Sequence, residues 1–464
     1  MGILKDKLLK VVEKGRSLGA EYVEVRAERV SRTSLTTKDG KVETARQGID
    51  YGAAIRVLVN GAWGFSTLSS LNNERLKKAV EEACSMAKSA AGKLRTPIEL
   101  AEIKAIEDKV YAKPRKDPSE ISIEEKMNIT LNIDKNVFDF NPKVKSCTID
   151  YLDISGRSYF ANSDGTYIEQ DKLYVWSRVL ATAKEGSILA YGREEIGSTA
   201  GFEVFDEQTP EKIGNLIGRR IVSQLKAKLP KGGRFPAVIG PNVIGVFIHE
   251  AFGHLAEADL TISGSVLADK FGKKIASEKV NVYDDGTIEG AFGSFKYDDE
   301  GVPAQKTLLI KEGVVTGLMT NRETAKKLGL PPTGNARAEN FRHKPIIRMR
   351  NTYLAPGDYS FEELLEDIKF GYYLKSFRGG QANLDGTFQV GIQEAYEIRD
   401  GEIGEPVRNL SISGNTLETL LMVDAVGKDF ELWPGRCGKD GQTAFICDGG
   451  PHTRVKEVII GGRA

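Results

Sequence analysis

Cysteine is scarce, with only Cys84, Cys147, Cys437 and Cys447 in a chain of 464 residues. No Cys-x-x-Cys pair occurs, which excludes a four-thiolate structural site, and the count is far too low for a disulfide scaffold. A reducing cytoplasm is the expected setting. Long apolar runs are missing too: no stretch approaches the roughly 20 residues that span a bilayer. The opening MGILKDKLLKVVEKGR interleaves charge with its apolar positions, unlike a secretory signal. There is no net charge, since Lys plus Arg (65) balances Asp plus Glu (65), so no global field draws the chain to nucleic acid or an anionic membrane. Histidine is as rare as cysteine, with four residues.

What is present is ordinary globular composition, 40% apolar and 28% charged, in a chain long enough for two or three domains. Helical periodicity runs through residues 3 to 18, and alternating segments then turn at Asp39-Gly40 and Asn60-Gly61, both type I′ hairpin signals. A second helix is expected in NNERLKKAVEEACSMAKSA, before a polar stretch carrying Pro97, Pro114 and Pro118. Residues 120 to 228 repeat the pattern, with helices at ISIEEKMNITLNIDKNV and TPEKIGNLIGRRIVSQLKAK around a turn at Asp164-Gly165. LPKGGRFP, residues 229 to 236, has the composition of a linker. Beyond it, Asp285-Gly286, Glu312-Gly313 and Asp400-Gly401 punctuate alternating runs. The expected class is α+β: α/β pieces over 1–110 and 111–228, then a large antiparallel β-rich domain over 229–464 that carries the chemistry.

That chemistry lies in RFPAVIGPNVIGVFIHEAFGHLAEADL, residues 234 to 260. A short strand ends at Gly240, and Pro241 suits the first turn of a helix that reaches His249, Glu250 and His254. Two neutral imidazoles can hold a divalent transition metal, and a carboxylate beside one of them can deprotonate a water bound to it. In the familiar form of this motif the histidines are four positions apart and share a helical face. Here they are five apart, a rotation of about 140° at 3.6 residues per turn, so a straight helix would aim the rings apart. Gly253 is expected to break the helix and swing His254 back. Glu257 and Asp259 are candidates to hydrogen-bond the free ring nitrogens.

A tetrahedral catalytic ion takes a third protein ligand and leaves a position for water. Cys437 in GRCGKDGQ, Cys447 in FICDGG and His452 in GGPHT are candidates, and a thiolate is a good zinc ligand. Cys84 and Cys147 are expected to be small buried apolar residues.

The segments HEAFGH (249–254), DDEGVPAQKTLLIKEGVVTGLM (298–319), TGNARAENFRHKPIIRMRNTYL (333–354), GGQANLDGTFQVGIQEAYEI (379–398) and GRCGKDGQ (435–442) make the chain similar to the TldD subunits of the TldD/PmbA (TldD/TldE) metallopeptidase family. Nearly the whole chain is covered. The resemblance implies a cytoplasmic H-E-x-x-x-H metallopeptidase acting on unfolded peptides, with zinc (or iron) on His249, His254 and Cys437. It also implies a dimer, either with a PmbA/TldE-type sister chain lacking the motif or with a second copy. After GKDGQ the family usually continues with a Val-Gly-Pro-rich strand, whereas this chain has TAFICDGGPHTRVKEVIIGG, which puts Cys447 and His452 close to the expected ligand.

The expected mechanism has a peptide adding a strand to a sheet edge in the C-terminal half, with Glu250 as general base. Arg337 and His343, in GNARAENFRHKP, are expected to hold a substrate carboxylate or the oxyanion. Two other classes compete: a regulatory protein of the gyrase-modulator type, and a metal hydrolase of a non-peptide amide or ester.

Overall fold

The computed structural model describes residues 2–462 and is an α+β fold with predominantly antiparallel sheets. The first sheet has seven strands. Tyr22–Lys38, Lys41–Val59 and Ala62–Leu68 form a meander turned at Asp39-Gly40 and Asn60-Gly61. Both residues of each turn have positive φ, as a type I′ hairpin requires. Tyr22–Lys38 pairs on its other side with Val144–Asn162, followed by Tyr167–Glu185 and Ile188–Ser198. Strands from before and after residue 110 therefore share one sheet. Gly2–Ser17 and Asn73–Ala91 pack over one part of it, around Leu8, Val23, Val57 and Val80. Ile123–Phe140 and Pro210–Lys226 cover another, around Ile133, Ile149, Val179 and Ile217. Asn72, Ser122 and Thr209 cap three of these helices with side-chain oxygens.

The C-terminal half contains a closed ring of five strands: Gly233–Ile239, Phe370–Ala382, Thr387–Arg399, Leu410–Asn415 and Thr453–Gly462. All the pairings are antiparallel except Gly233–Ile239 with Phe370–Ala382. The linker expected at 229–236 thus ends early, because Gly233 already belongs to a barrel strand that pairs with Ile460. A six-stranded sheet packs beside the ring, in the order Val314–Val315, Lys306–Lys311, Val282–Asp285, Asn351–Leu354, Gln442–Gly450, Glu431–Lys439. The expected turns at Glu312-Gly313 and Asp400-Gly401 form with positive φ. Asp285-Gly286 is no such turn: Asp285 ends a strand, and Gly286 is there because a Cβ would meet Arg350 Cδ at 2.8 Å.

Between ring and sheet lies the largest apolar core, and through it runs the helix Pro241–Ile248, buried on almost every side. Gly240 is its N-cap and Pro241 sits in its first turn. Among the described residues, no helix is long and apolar enough to cross a membrane.

Candidate metal centre

The histidine pair is aligned by a change of hydrogen-bond register, and the expected break at Gly253 is not found. After Ile248 the backbone enters a π-turn over His249–Gly253, in which the His254 N–H bonds the His249 carbonyl, followed by a 3-10 turn over His254–Ala256. An i→i+5 register puts residues five apart on one face, which is what this spacing needs, and single π-turns recur at functional sites. Gly253 keeps right-handed helical angles, φ −55° and ψ −51°. It is glycine for room, since a Cβ there would lie 2.2 Å from Met349 Sδ.

The helix is seated by a second glycine. A Cβ at Gly245 would lie 2.3 Å from the Gly449 backbone nitrogen, so helix and strand Gln442–Gly450 touch backbone to backbone. One turn later His249 arrives opposite Cys437, which the hairpin turn at Asp440-Gly441 carries on the partner strand Glu431–Lys439. Gly245→Ala is expected to force the two backbones apart. The loss would be about 3 kcal/mol of stability, the upper range for overpacking, read as a lowered thermal midpoint together with weakened metal retention.

One ligand atom each from His249, His254 and Cys437 lies within 4.8 Å of the others, and no other such group of His, Cys, Asp and Glu occurs among the described residues. The imidazole rings stand 5.2 Å apart at 85°. Cys437 Sγ is 3.4 Å from His254 Nε2. Ligands at about 2.1 Å (N) and 2.3 Å (S) on a tetrahedral ion are separated by roughly 3.6 Å, so the pair fits a zinc-sized ion. Among the described residues buried His249 Nδ1 has no hydrogen-bond partner, a polar atom left over for a further contact. The donor set, two imidazoles and a thiolate, suits a borderline-soft divalent metal.

Burial opposes a charged Cys437, but His249 and His254 outweigh it and bring the thiol down to about 4. Burial likewise opposes a charged His254, yet Cys437 and Glu257 raise it to about 10. His249 is raised for the same reason, with Cys437 and Glu250 overcoming desolvation. The thiol and the two imidazoles thus favour one another's charged forms, and a divalent ion held by a thiolate and neutral imidazoles would take the place of the ring protons.

Glu257 accepts from His254 Nδ1 at 3.0 Å, leaving Nε2 to face Cys437. Its carboxylate is buried, and His254 and Lys439 hold its pKa down against desolvation. Asp259 touches neither ring; it bonds Lys439 Nζ, which also reaches Glu257 and the Ile347 carbonyl. Lys439 escaped the sequence analysis although the signal was there: two positions after Cys437 on a strand, it must share the ligand's face. Arg348, whose guanidinium donates to the carbonyls of Cys437 and Gln442, had no such signal. Glu257→Gln is expected to weaken metal binding by 10- to 100-fold, the usual cost of losing a partner behind a ligand, measured by competition with a chromogenic chelator.

Glu250 follows His249 and lines a cavity of about 90 Å³ together with His249, Cys437 and Asp448. Burial pushes the Asp448 carboxyl up to about 7. The other candidates lie elsewhere. Cys447 Sγ accepts from the Phe292 N–H at 3.3 Å, and burial raises its thiol to about 12. His452 is held between Asp429 and the Tyr373 hydroxyl. Cys84 and Cys147 are buried, as expected. Arg337 and His343 both stand apart from the ligand triangle and its small cavity. The Arg337 guanidinium is buried and donates to the carbonyls of Met349 and Phe445, each at 2.7 Å, because those carbonyls have to be satisfied inside the fold. His343 bonds Asn340 and lies outside the cavity.

Comparison with known proteins gives matches over most of the chain. Residues 23–87, 116–229 and 232–462 match, in turn, domain 1, the central domain and the C-terminal domain of the PmbA/TldA metallopeptidases. A metalloprotease of Methanothermobacter thermautotrophicus is 44% identical over 95% of this chain and 96% of its own length. A zinc metalloprotease TldD homolog of Saccharolobus solfataricus is 37% identical over 98% of this chain and its whole length. Among solved structures, TldE from Thermococcus kodakarensis superposes with a TM-score of 0.78 at 21% identity, over 98% of this chain and all of its own. A Thermotoga maritima protein described as a modulator of a DNA gyrase gives 0.81 at 22% identity, over 99% of this chain and all of its own. At those identities the likeness is one of fold.

Proposed function

Because the chain belongs to the PmbA/TldA metallopeptidase family, the TldD/PmbA family of the sequence resemblance, we propose that it is a zinc-dependent peptidase hydrolysing short or unfolded peptides. The observation that carries this is the buried His249, His254, Cys437 triangle with Glu250 on the wall of the same cavity. When bound, a divalent ion at these three ligands supplies a Lewis acid for the scissile carbonyl and lowers the pKa of the attacking water to about 7. Glu250 takes the proton of that water and delivers it to the leaving amine nitrogen. Glu257 and Lys439 hold the His254 ring in orientation.

Substrate entry uses strand edges. Among the described residues, Glu431–Lys439 ends its sheet and pairs only with Gln442–Gly450, while Ile188–Ser198 pairs only with Tyr167–Glu185. Residues of both strands border the cavity. An extended peptide can hydrogen-bond such an edge through its backbone with little demand on sequence, which favours unfolded substrates. A thiolate ligand suits a reducing cytoplasm. The reading includes a dimer, with a TldE-like sister chain or a second copy, supported by the likeness in fold to TldE. The test is cleavage of a disordered peptide by the metal-loaded protein. Chelator should abolish it and zinc restore it, whereas cleavage indifferent to chelator would contradict the proposal.

A further inference from the structure

Arg436 sits immediately before Cys437 on the edge strand, so its side chain leaves the face opposite the ligand, toward the N-terminal sheet. There the guanidinium lies 4.7 Å from the Trp176 ring centroid. Arg178 flanks the same ring at 5.7 Å. Burial lowers the Arg436 pKa, the nearby Glu195 and Glu339 carboxylates oppose that, and Arg178 and Arg32, the latter two strands away on the same sheet, add to it. The neighbouring carboxylates are committed. Asp150 bonds Arg178, Glu195 takes the Trp176 indole N–H and pairs with Arg193, and Glu339 accepts from the Thr443 backbone. Among the described residues Arg436 has no carboxylate partner and no hydrogen-bonded acceptor, nor does Arg32, although Arg436 is exposed to solvent on one side and held by an aromatic platform on the other.

Its position is a junction. Arg436 lines both the small cavity beside Glu250 and a cleft of about 520 Å³ between the N-terminal sheet and the C-terminal half. Ile188–Ser198 packs against Glu431–Lys439 where Gly197 meets Pro434, and a peptide strand laid along the unladdered edge at Arg436 and Cys437 would alternate its side chains, the one beside Arg436 being a neighbour of the one beside Cys437. A planar guanidinium held over an indole ring, with its donors unspent, is placed to take a carboxylate bidentately.

We propose that Arg436, lying over the Trp176 ring at the junction of the two cavities, is a specificity residue that recognises a substrate carboxylate close to the scissile bond. The carboxylate is that of an Asp or Glu side chain within about two residues of the bond, or of a peptide C-terminus lying there. The proposal rests on the peptidase reading for its meaning, but its test does not depend on turnover.

The test measures binding of fluorescent peptides to the zinc-loaded Glu250→Gln protein. The peptides are identical except for a single Glu, Gln or Lys moved along the sequence, each with a free or an amidated C-terminus. The expected result is about tenfold tighter binding of a Glu peptide over its Gln counterpart, the scale of one charge-assisted hydrogen-bonded pair. Arg436→Gln should remove the difference while leaving Gln-peptide affinity within about twofold, and Arg436→Glu should turn the preference toward Lys. Dependence on the free C-terminus in place of the side chain would identify the terminal carboxylate as the group held. Equal binding of all forms, or a Glu preference that survives Arg436→Gln, would overturn the proposal. Discrimination in binding without cleavage by the unmutated enzyme would leave it standing and overturn the peptidase reading alone.

Discussion

Glu250→Gln is expected to lower peptide turnover by 10²- to 10⁴-fold, the range supplied by a positioned general base, with metal content and thermal midpoint unchanged. The side chain has no hydrogen-bond partner among the described residues and faces the cavity, so the amide disturbs neither packing nor ligands. Glutamine keeps the shape and loses only the ability to accept and return a proton. Unaltered turnover in this variant would remove Glu250 from the mechanism. A loss of metal or of stability in parallel would mean that the residue holds the site together and does not act on the substrate.

Cys437→Ser carries the second large effect. The thiolate is the anionic member of the triangle, lowered to about 4 by the two imidazoles, and an alcohol in its place has neither the charge nor the softness. Metal affinity should fall beyond the 10- to 100-fold typical of losing a partner behind a ligand. Cys447→Ser should keep its metal, because that sulfur is engaged by the Phe292 N–H and its proton is held by burial. Full retention in Cys437→Ser with loss in Cys447→Ser would reverse the ligand assignment. Equilibrium dialysis of the two variants beside the unmutated protein decides it.

The sequence made local chemistry legible and tertiary pairing much less so. Asp39-Gly40, Asn60-Gly61, Glu312-Gly313 and Asp400-Gly401 announce their turns because a two-residue hairpin demands positive φ at both positions. The closure of Gly233–Ile239 onto Thr453–Gly462 could not be foreseen, since alternation marks a strand and its faces but not a partner more than two hundred residues away. The same limit hid the single sheet that joins Tyr22–Lys38 to Val144–Asn162.

At the site, His249, Glu250 and His254 stood out because the residue types define the chemistry. How the five-residue spacing is accommodated did not, since a π-turn is a shift of backbone hydrogen bonds with no side-chain signature of its own, and Gly253 suggested a break where it relieves contact with Met349. The hydrogen bonds of Arg337 were hidden for a related reason. An arginine in a basic segment reads as a ligand for anions, but buried carbonyls at Met349 and Phe445 compete for the same donors, and burial is a property of the whole fold.

The central claim is that two imidazoles and one thiolate surround a single ion in a buried pocket. X-ray absorption at the metal edge of the purified, metal-replete protein tests it most directly. One sulfur at about 2.3 Å and two imidazole nitrogens at about 2.0–2.1 Å, at one ion per chain, are predicted. A shell without sulfur, or no stoichiometric metal after reconstitution, would contradict it.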